Sequence, residues 1–244
     1  MHKTLKDGQE LAVALRRELF KIEDVDIVVC PPYTLLAYLA DALETSNIAV
    51  GAQNMHWQDE GAFTGEVSAL MLKEAGCQYV IIGHSERRQF FGETNETVNK
   101  KINAALKHGL IPIVCVGENL KEREDNRTFD VIEDHIKNGL AGLGPLDILK
   151  IVIAYEPVWA IGTGKTATPA QAQEAHKFIR DLLKKMYSEE VSLNVRIQYG
   201  GSVKPENTLE LMQQPDVDGA LVGGACLKID SFTAIVTGAS EVKK

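Results

Sequence analysis

Seven short β-rich runs recur along the chain, each parted from the next by an amphipathic stretch: Val25–Val29, Ile48–Gly51, Tyr79–Gly83, Ile111–Val116, Ile151–Tyr155, Val195–Tyr199 and Ala220–Val222. Runs that are apolar throughout belong to strands buried on both faces, which are typically parallel strands covered by helices. The stretches around them carry helical periodicity over Leu5–Lys21, Thr34–Leu43, Gly65–Ala75, Thr94–His108, Phe129–Gly139, Pro169–Met186, Pro205–Gln213 and Ile229–Thr237. Gly76 and Gly109 stand where C-terminal caps of two of these helices would fall. This alternation predicts an α/β fold of parallel strands and crossover helices. With 244 residues and 45% hydrophobic content, the chain suits a single (β/α)8 barrel domain over residues 1–244, with no linker. A closed barrel needs eight strands, however, and this chain opens with a helix, so the first strand is expected to be absent from it. A doubly wound open sheet tolerates seven strands, but its nucleotide-binding forms place a glycine-rich turn after the first. Cys30-Pro31-Pro32-Tyr33 stands there instead.

Charge and composition narrow the function. A formal net charge of -8 argues against a nucleic-acid partner. No apolar run approaches a membrane span, and Met1–Asp7 leads into no signal-peptide core, so no membrane partner and a cytoplasmic location are expected. Cys30, Cys77, Cys115 and Cys226 are far apart with no CxxC pair; buried reduced thiols, and no metal site, are expected.

In a barrel, chemistry collects at the C-terminal ends of the strands. The fifth run ends in Glu156-Pro157, a carboxylate at a strand tip held in extended geometry by the proline. Gly162 and Gly164 soften the middle of the segment that follows. Thr168-Pro169-Ala170-Gln171 then starts a helix sharply, with an N-cap, a proline at the first helical position and a capping-box glutamine. A stiff-ended loop with a soft centre is how an active-site lid is built, with Glu156 as candidate base at its hinge. His84 follows Gly83 at another buried strand tip. If Ser85-Glu86 begins a helical turn, the turn's positive end disfavours imidazolium and leaves a neutral ring able to polarise a carbonyl. His2, His56, His108, His135 and His176 are expected to be structural. The last two runs end in Tyr199-Gly200-Gly201-Ser202-Val203 and Gly223-Gly224-Ala225-Cys226. One Gly-Gly is explained as well by a tight turn as by a ligand. Two of them, entering helices on the last two strands of a barrel, point to a phosphate held by backbone N–H groups, a site that suits an acidic chain.

These residues carry a resemblance over essentially the whole chain. Tyr155–Gly164 is similar to the base and lid of the triosephosphate isomerases, Gly83-His84-Ser85-Glu86-Arg87-Arg88 to their electrophile segment, and Tyr199–Val203 with Gly223-Gly224 to their phosphate clamp. The resemblance implies a TIM barrel that interconverts dihydroxyacetone phosphate and D-glyceraldehyde 3-phosphate, steps of glycolysis and gluconeogenesis, with no cofactor or metal. Glu156 is then the base and His84 the electrophile. Glu86, in the same motif, has a supporting role or a salt bridge with a nearby arginine; Gly162, Ser202, Gly223 and Gly224 hold the phosphate. The connection Ala52–Gly65, long for a barrel and carrying Met55, Trp57 and Phe63, is either folded onto its own barrel or, as the resemblance implies, enters a partner's pocket near Thr64 to make a homodimer. One departure stands out. The family's first strand ends Asn-Trp-Lys-Met, and this chain begins at the position of that Met. The lysine neutralises the phosphate and the developing oxyanion, and losing such a charge costs about 3 kcal/mol or more of transition-state stabilisation. Lys3, expected beyond the strand end, is not an obvious replacement. An upstream segment is expected to supply the strand. Without it, the alternative is a catalytically impaired barrel that binds or supports; a barrel enzyme acting on a larger sugar phosphate is the third reading.

Overall fold

The computed structural model describes residues 1–161 and 166–242. Seven strands, β1 (Ile27–Val29), β2 (Ile48–Ala52), β3 (Tyr79–Ile82), β4 (Ile111–Val116), β5 (Val152–Tyr155), β6 (Arg196–Tyr199) and β7 (Gly219–Ala220), form one sheet in chain order with every neighbouring pair parallel. The sheet is curled. Tyr79, Ile81, Ile113, Cys115, Val152 and Ala154 form one buried cluster, against which Val28 and Cys30 pack from the first strand's side and Leu221 from the last. Alternate residues of the same strands, such as Val80, Ile82, Val114, Val116, Ile153 and Tyr155, face the other way into the layer beneath the helices. This two-sided burial explains why the runs lack polar alternation, and each fully buried Ile or Val contributes about 1.5–3 kcal/mol. Among the described residues no strand precedes β1. Thr4 caps the first helix, Leu5–Leu19, and exposed Lys3 lies just ahead of it.

The long helices follow the expected pattern. Thr168 caps Pro169–Met186 through the capping box with Gln171. Gly76 and Gly109 take left-handed φ of 87° and 69° behind their helices. The expected helix Gly65–Ala75 is shorter, Ala69–Glu74, because Ser68 accepts from Met71 N and starts it there, leaving Gly65 in the preceding loop at φ 92°. The last strand is shorter than the run Ala220–Val222. The turn considered at Ser85-Glu86 is a helix, Ser85–Phe91, while the helices Leu120–Glu124, Pro145–Ile148 and Glu189–Asn194 were not expected, being too short to display an apolar period.

Candidate active site

Register builds the site. Val116 pairs with Tyr155 and Tyr155 with Tyr199, so one step further on Gly117, Glu156 and Gly200 stand side by side at the strand tips. Glu156 N donates to Val116 O at 2.7 Å, and Gly200 N to Tyr155 O at 2.7 Å. Gly117 requires glycine, and Gly200 leaves little room for more. A Cβ on Gly117, where φ is 154°, would stand 1.8 Å from the Glu156 carbonyl oxygen, and one on Gly200 would stand 3.0 Å from Glu156 Cγ. Ile82 pairs with Val114, so the chain leaving β3 reaches the level of Val116 at His84.

The carboxylate of Glu156 is 2% exposed. Ser85 N donates to Oε2 at 2.9 Å and Ser85 Oγ to Oε1 at 3.1 Å, while His84 Nε2 lies 3.0 Å from Oε1. His84 is itself the N-cap of the helix Ser85–Phe91, and its Nδ1 accepts from Glu86 N at 3.3 Å. With Nδ1 placed to accept, the ring's Nε2–H is assigned to the side that faces Glu156. Burial raises the Glu156 carboxyl above the usual range, opposed by His84 and the two Ser85 donors. The arrangement pairs a desolvated base with a hydrogen-bond donor, the combination that enolisation next to a carbonyl needs.

Two buried carboxylates brace these segments. Glu93 accepts from Gly83 N at 3.0 Å, Arg87 Nε at 2.9 Å and Lys101 Nζ at 2.9 Å, tying down the turn that leads into His84. Glu118, fully buried, accepts from Trp159 Nε1 at 2.8 Å and Tyr155 Oη at 3.1 Å, and its carbonyl takes Val158 N at 3.0 Å. The residues just after Glu156 are thereby latched to the tip of β4.

The family model for "Triosephosphate isomerase" matches residues 1–239. Triosephosphate isomerases of Carboxydothermus hydrogenoformans and Moorella thermoacetica are each 57% identical to the chain, over 98% and 97% of it and 95% and 94% of their own lengths. That of Geobacter metallireducens is 56% identical over 97% of the chain and 94% of its length. The chain belongs to the triosephosphate isomerase family.

Of the residues expected from the triosephosphate isomerase motifs, Glu156 and His84 meet directly. Glu86 does not join them: its side chain is 69% exposed, with Oε2 3.9 Å from His84 Nδ1. The neighbouring Arg87 pairs with Glu93 instead, because helix geometry turns Glu86 outward from the His84 cap and leaves its backbone N–H facing the ring. Ser202 and Gly223 each lie three residues beyond the paired positions Tyr199 and Ala220, in the segments that leave the ends of β6 and β7. Gly162 lies outside the described residues. No described atom comes within 4 Å of a Cβ built on Gly223 or Gly224, so crowding does not account for glycine there. Gly117, Cys115 and Glu118 fall outside the motifs quoted above, and Ser85 and Gly200 fall inside them with no role of their own assigned. Their signal was positional: Gly117-Glu118 and Gly200 follow the apolar runs on either side of the one that ends in Glu156. Cys115, deep in the barrel, is held as an un-ionised thiol by burial and by its hydrogen bond to Glu156.

Proposed function

We propose that the chain interconverts dihydroxyacetone phosphate and D-glyceraldehyde 3-phosphate through an enediolate, as one barrel domain over residues 1–244. The observation that carries this reading is the 3.0 Å contact between the buried carboxylate of Glu156 and Nε2 of His84. Glu156 takes the proton from one carbon and returns it to the next, exchanging its Ser85 donors for the substrate C–H as it does so. His84 donates from Nε2 to the carbonyl and moves protons between the two oxygens. A neutral ring suits this role because imidazolium would surrender its proton outright. Glu86 contributes its backbone N–H, which keeps Nδ1 an acceptor. Ser202, Gly223 and Gly224, with Gly162, bind the phosphate by backbone amides. The open space over Gly223 and Gly224 supports this, since absence of a side chain there lets an anion approach the main chain. Base and electrophile are both side chains, so the reading calls on no metal or cofactor.

A homodimer in the cytoplasm completes the proposal. In the loop after β2, His56 stacks between Trp57 and Phe63, and Asp59 is tied to Lys107 and His108 at 2.5 and 2.7 Å. The loop is thus braced from within while Phe63 is 42% exposed and Thr64 faces solvent, as a segment meant for a partner's pocket should be. Phe90 and Phe91, each 67% exposed, offer apolar surface for the contact. Among the described residues no helix is long and apolar enough to cross a membrane.

A coupled assay with D-glyceraldehyde 3-phosphate tests the reaction. Wild-type turnover lost in Glu156→Gln and strongly reduced in His84→Gln supports it; variants as active as wild type refute the roles. Sedimentation of wild type against Phe63→Asp tests the dimer.

A further inference from the structure

The mechanism leaves the half-buried imidazole of His135 unused. His135 lies on the helix Thr128–Gly139, and its Nδ1 accepts from Gly117 N at 3.3 Å. The acceptor end of the same peptide unit, Val116 O, takes Glu156 N at 2.7 Å. A planar peptide directs its N–H and C=O in opposite senses, so this one unit spans the distance between the helix layer and the base. We propose that His135 is a positioning residue for Glu156, holding the Val116–Gly117 peptide at the angle that anchors the base's own amide. This rests on the reading of Glu156 as the base.

Three observations support it. Gly117 has no room to rock: the Glu156 carbonyl fills the place where its Cβ would be. A small rotation of the peptide therefore transfers directly to the Glu156 backbone. The imidazole must also be neutral at Nδ1 to accept. Burial, followed by the nearby Arg88 cation, pushes it down to about 4 against the opposing pull of Asp134. Finally, Arg88 is itself anchored to the other side of the site. Its Nε donates to Gly83 O at 2.9 Å and its Nη1 to Asn95 Oδ1 at 2.8 Å, so the cation that acts on His135 also steadies the turn into His84.

The test compares His135→Leu, which removes the acceptor, with His135→Asn, whose Oδ1 stands near the place of Nδ1. Melting curves establish that each is folded. Displacing the base by a fraction of an ångström lowers kcat of His135→Leu about tenfold while KM stays within about twofold. His135→Asn recovers to within about threefold of wild type. A leucine variant that turns over like wild type, or an asparagine variant as slow as the leucine one, overturns the proposal. If His135→Leu does not fold, histidine-15N spectra of the wild-type protein decide. At neutral pH a bare Nδ1 with the hydrogen on Nε2 supports the contact, and a protonated Nδ1 overturns it. Those spectra read His135 whether or not the enzyme turns over triose phosphates, so an inactive wild type refutes the functional reading separately.

Discussion

Replacing Gly200 with alanine should impair the base without substituting any catalytic residue. The added Cβ would lie 3.0 Å from Glu156 Cγ and 3.1 Å from Tyr155 O. Carbon atoms rest at about 3.5 Å or more, so roughly 0.5 Å must be found. Tyr155 O cannot give way, because it belongs to β5 and accepts from Gly200 N at 2.7 Å. The displacement falls on the Glu156 side chain, whose contacts to Ser85 N, Ser85 Oγ and His84 Nε2 are 2.9, 3.1 and 3.0 Å. Stretching these by that amount takes them to about 3.5 Å, the outer edge of a hydrogen bond. One such bond to a charged group is worth about 1.5–3 kcal/mol. If that much alignment is lost in the transition state, kcat falls about ten- to hundredfold, with KM little altered. Initial rates in the coupled assay, together with melting temperatures, read both. A Gly200→Ala enzyme within about threefold of wild type in kcat would show that the side chain of Glu156 is not confined by its neighbour in the way claimed.

Three further outcomes are expected. Ser85→Ala removes a donor that lowers the Glu156 carboxyl, so the acid limb of the kcat/KM profile moves to higher pH; a limb that stays put or moves down refutes the assignment. Because the folded-state pKa of Glu156 is raised, its contribution to stability is present below the unfolded value and lost as pH rises through the folded one. Melting temperatures of Glu156→Gln relative to wild type should accordingly improve between pH 4 and pH 8, flat differences being the contrary result. Lys101→Met removes one of the two cations of buried Glu93, whose carboxyl burial pushes up but Lys101 and Arg87 hold below the usual range. Urea unfolding at pH 7 should record a loss of about 3 kcal/mol, shrinking as pH falls through the depressed Glu93 pKa.

Strand order was legible because parallel strands buried on both faces leave apolar runs such as Tyr79–Ile82 and Val152–Tyr155, and the start of the helix Pro169–Met186 carried its cap in Thr168. Glu156 and His84 could be found for the same reason: each follows such a run directly. Glu86 could not be judged from its motif, since nothing in Ser85-Glu86-Arg87 states which side chain a short helix turns outward. The roles of Gly117 and Gly200 depend on strand register, which links residues dozens of positions apart and is set by packing. His135 was read as structural because its partner, a backbone N–H, leaves no mark on a sequence.

The unequal covering of the strands has a consequence for dynamics. Every residue of β3 and β5 is buried, whereas β1 retains partly exposed Val28 and Val29, and both residues of β7 are only half-buried. Amide exchange should therefore be quickest at β1 and β7 and slowest through β3, β4 and β5. Local opening would begin at the two ends of the sheet, while the strands that carry His84 and Glu156 remain closed until the whole molecule unfolds.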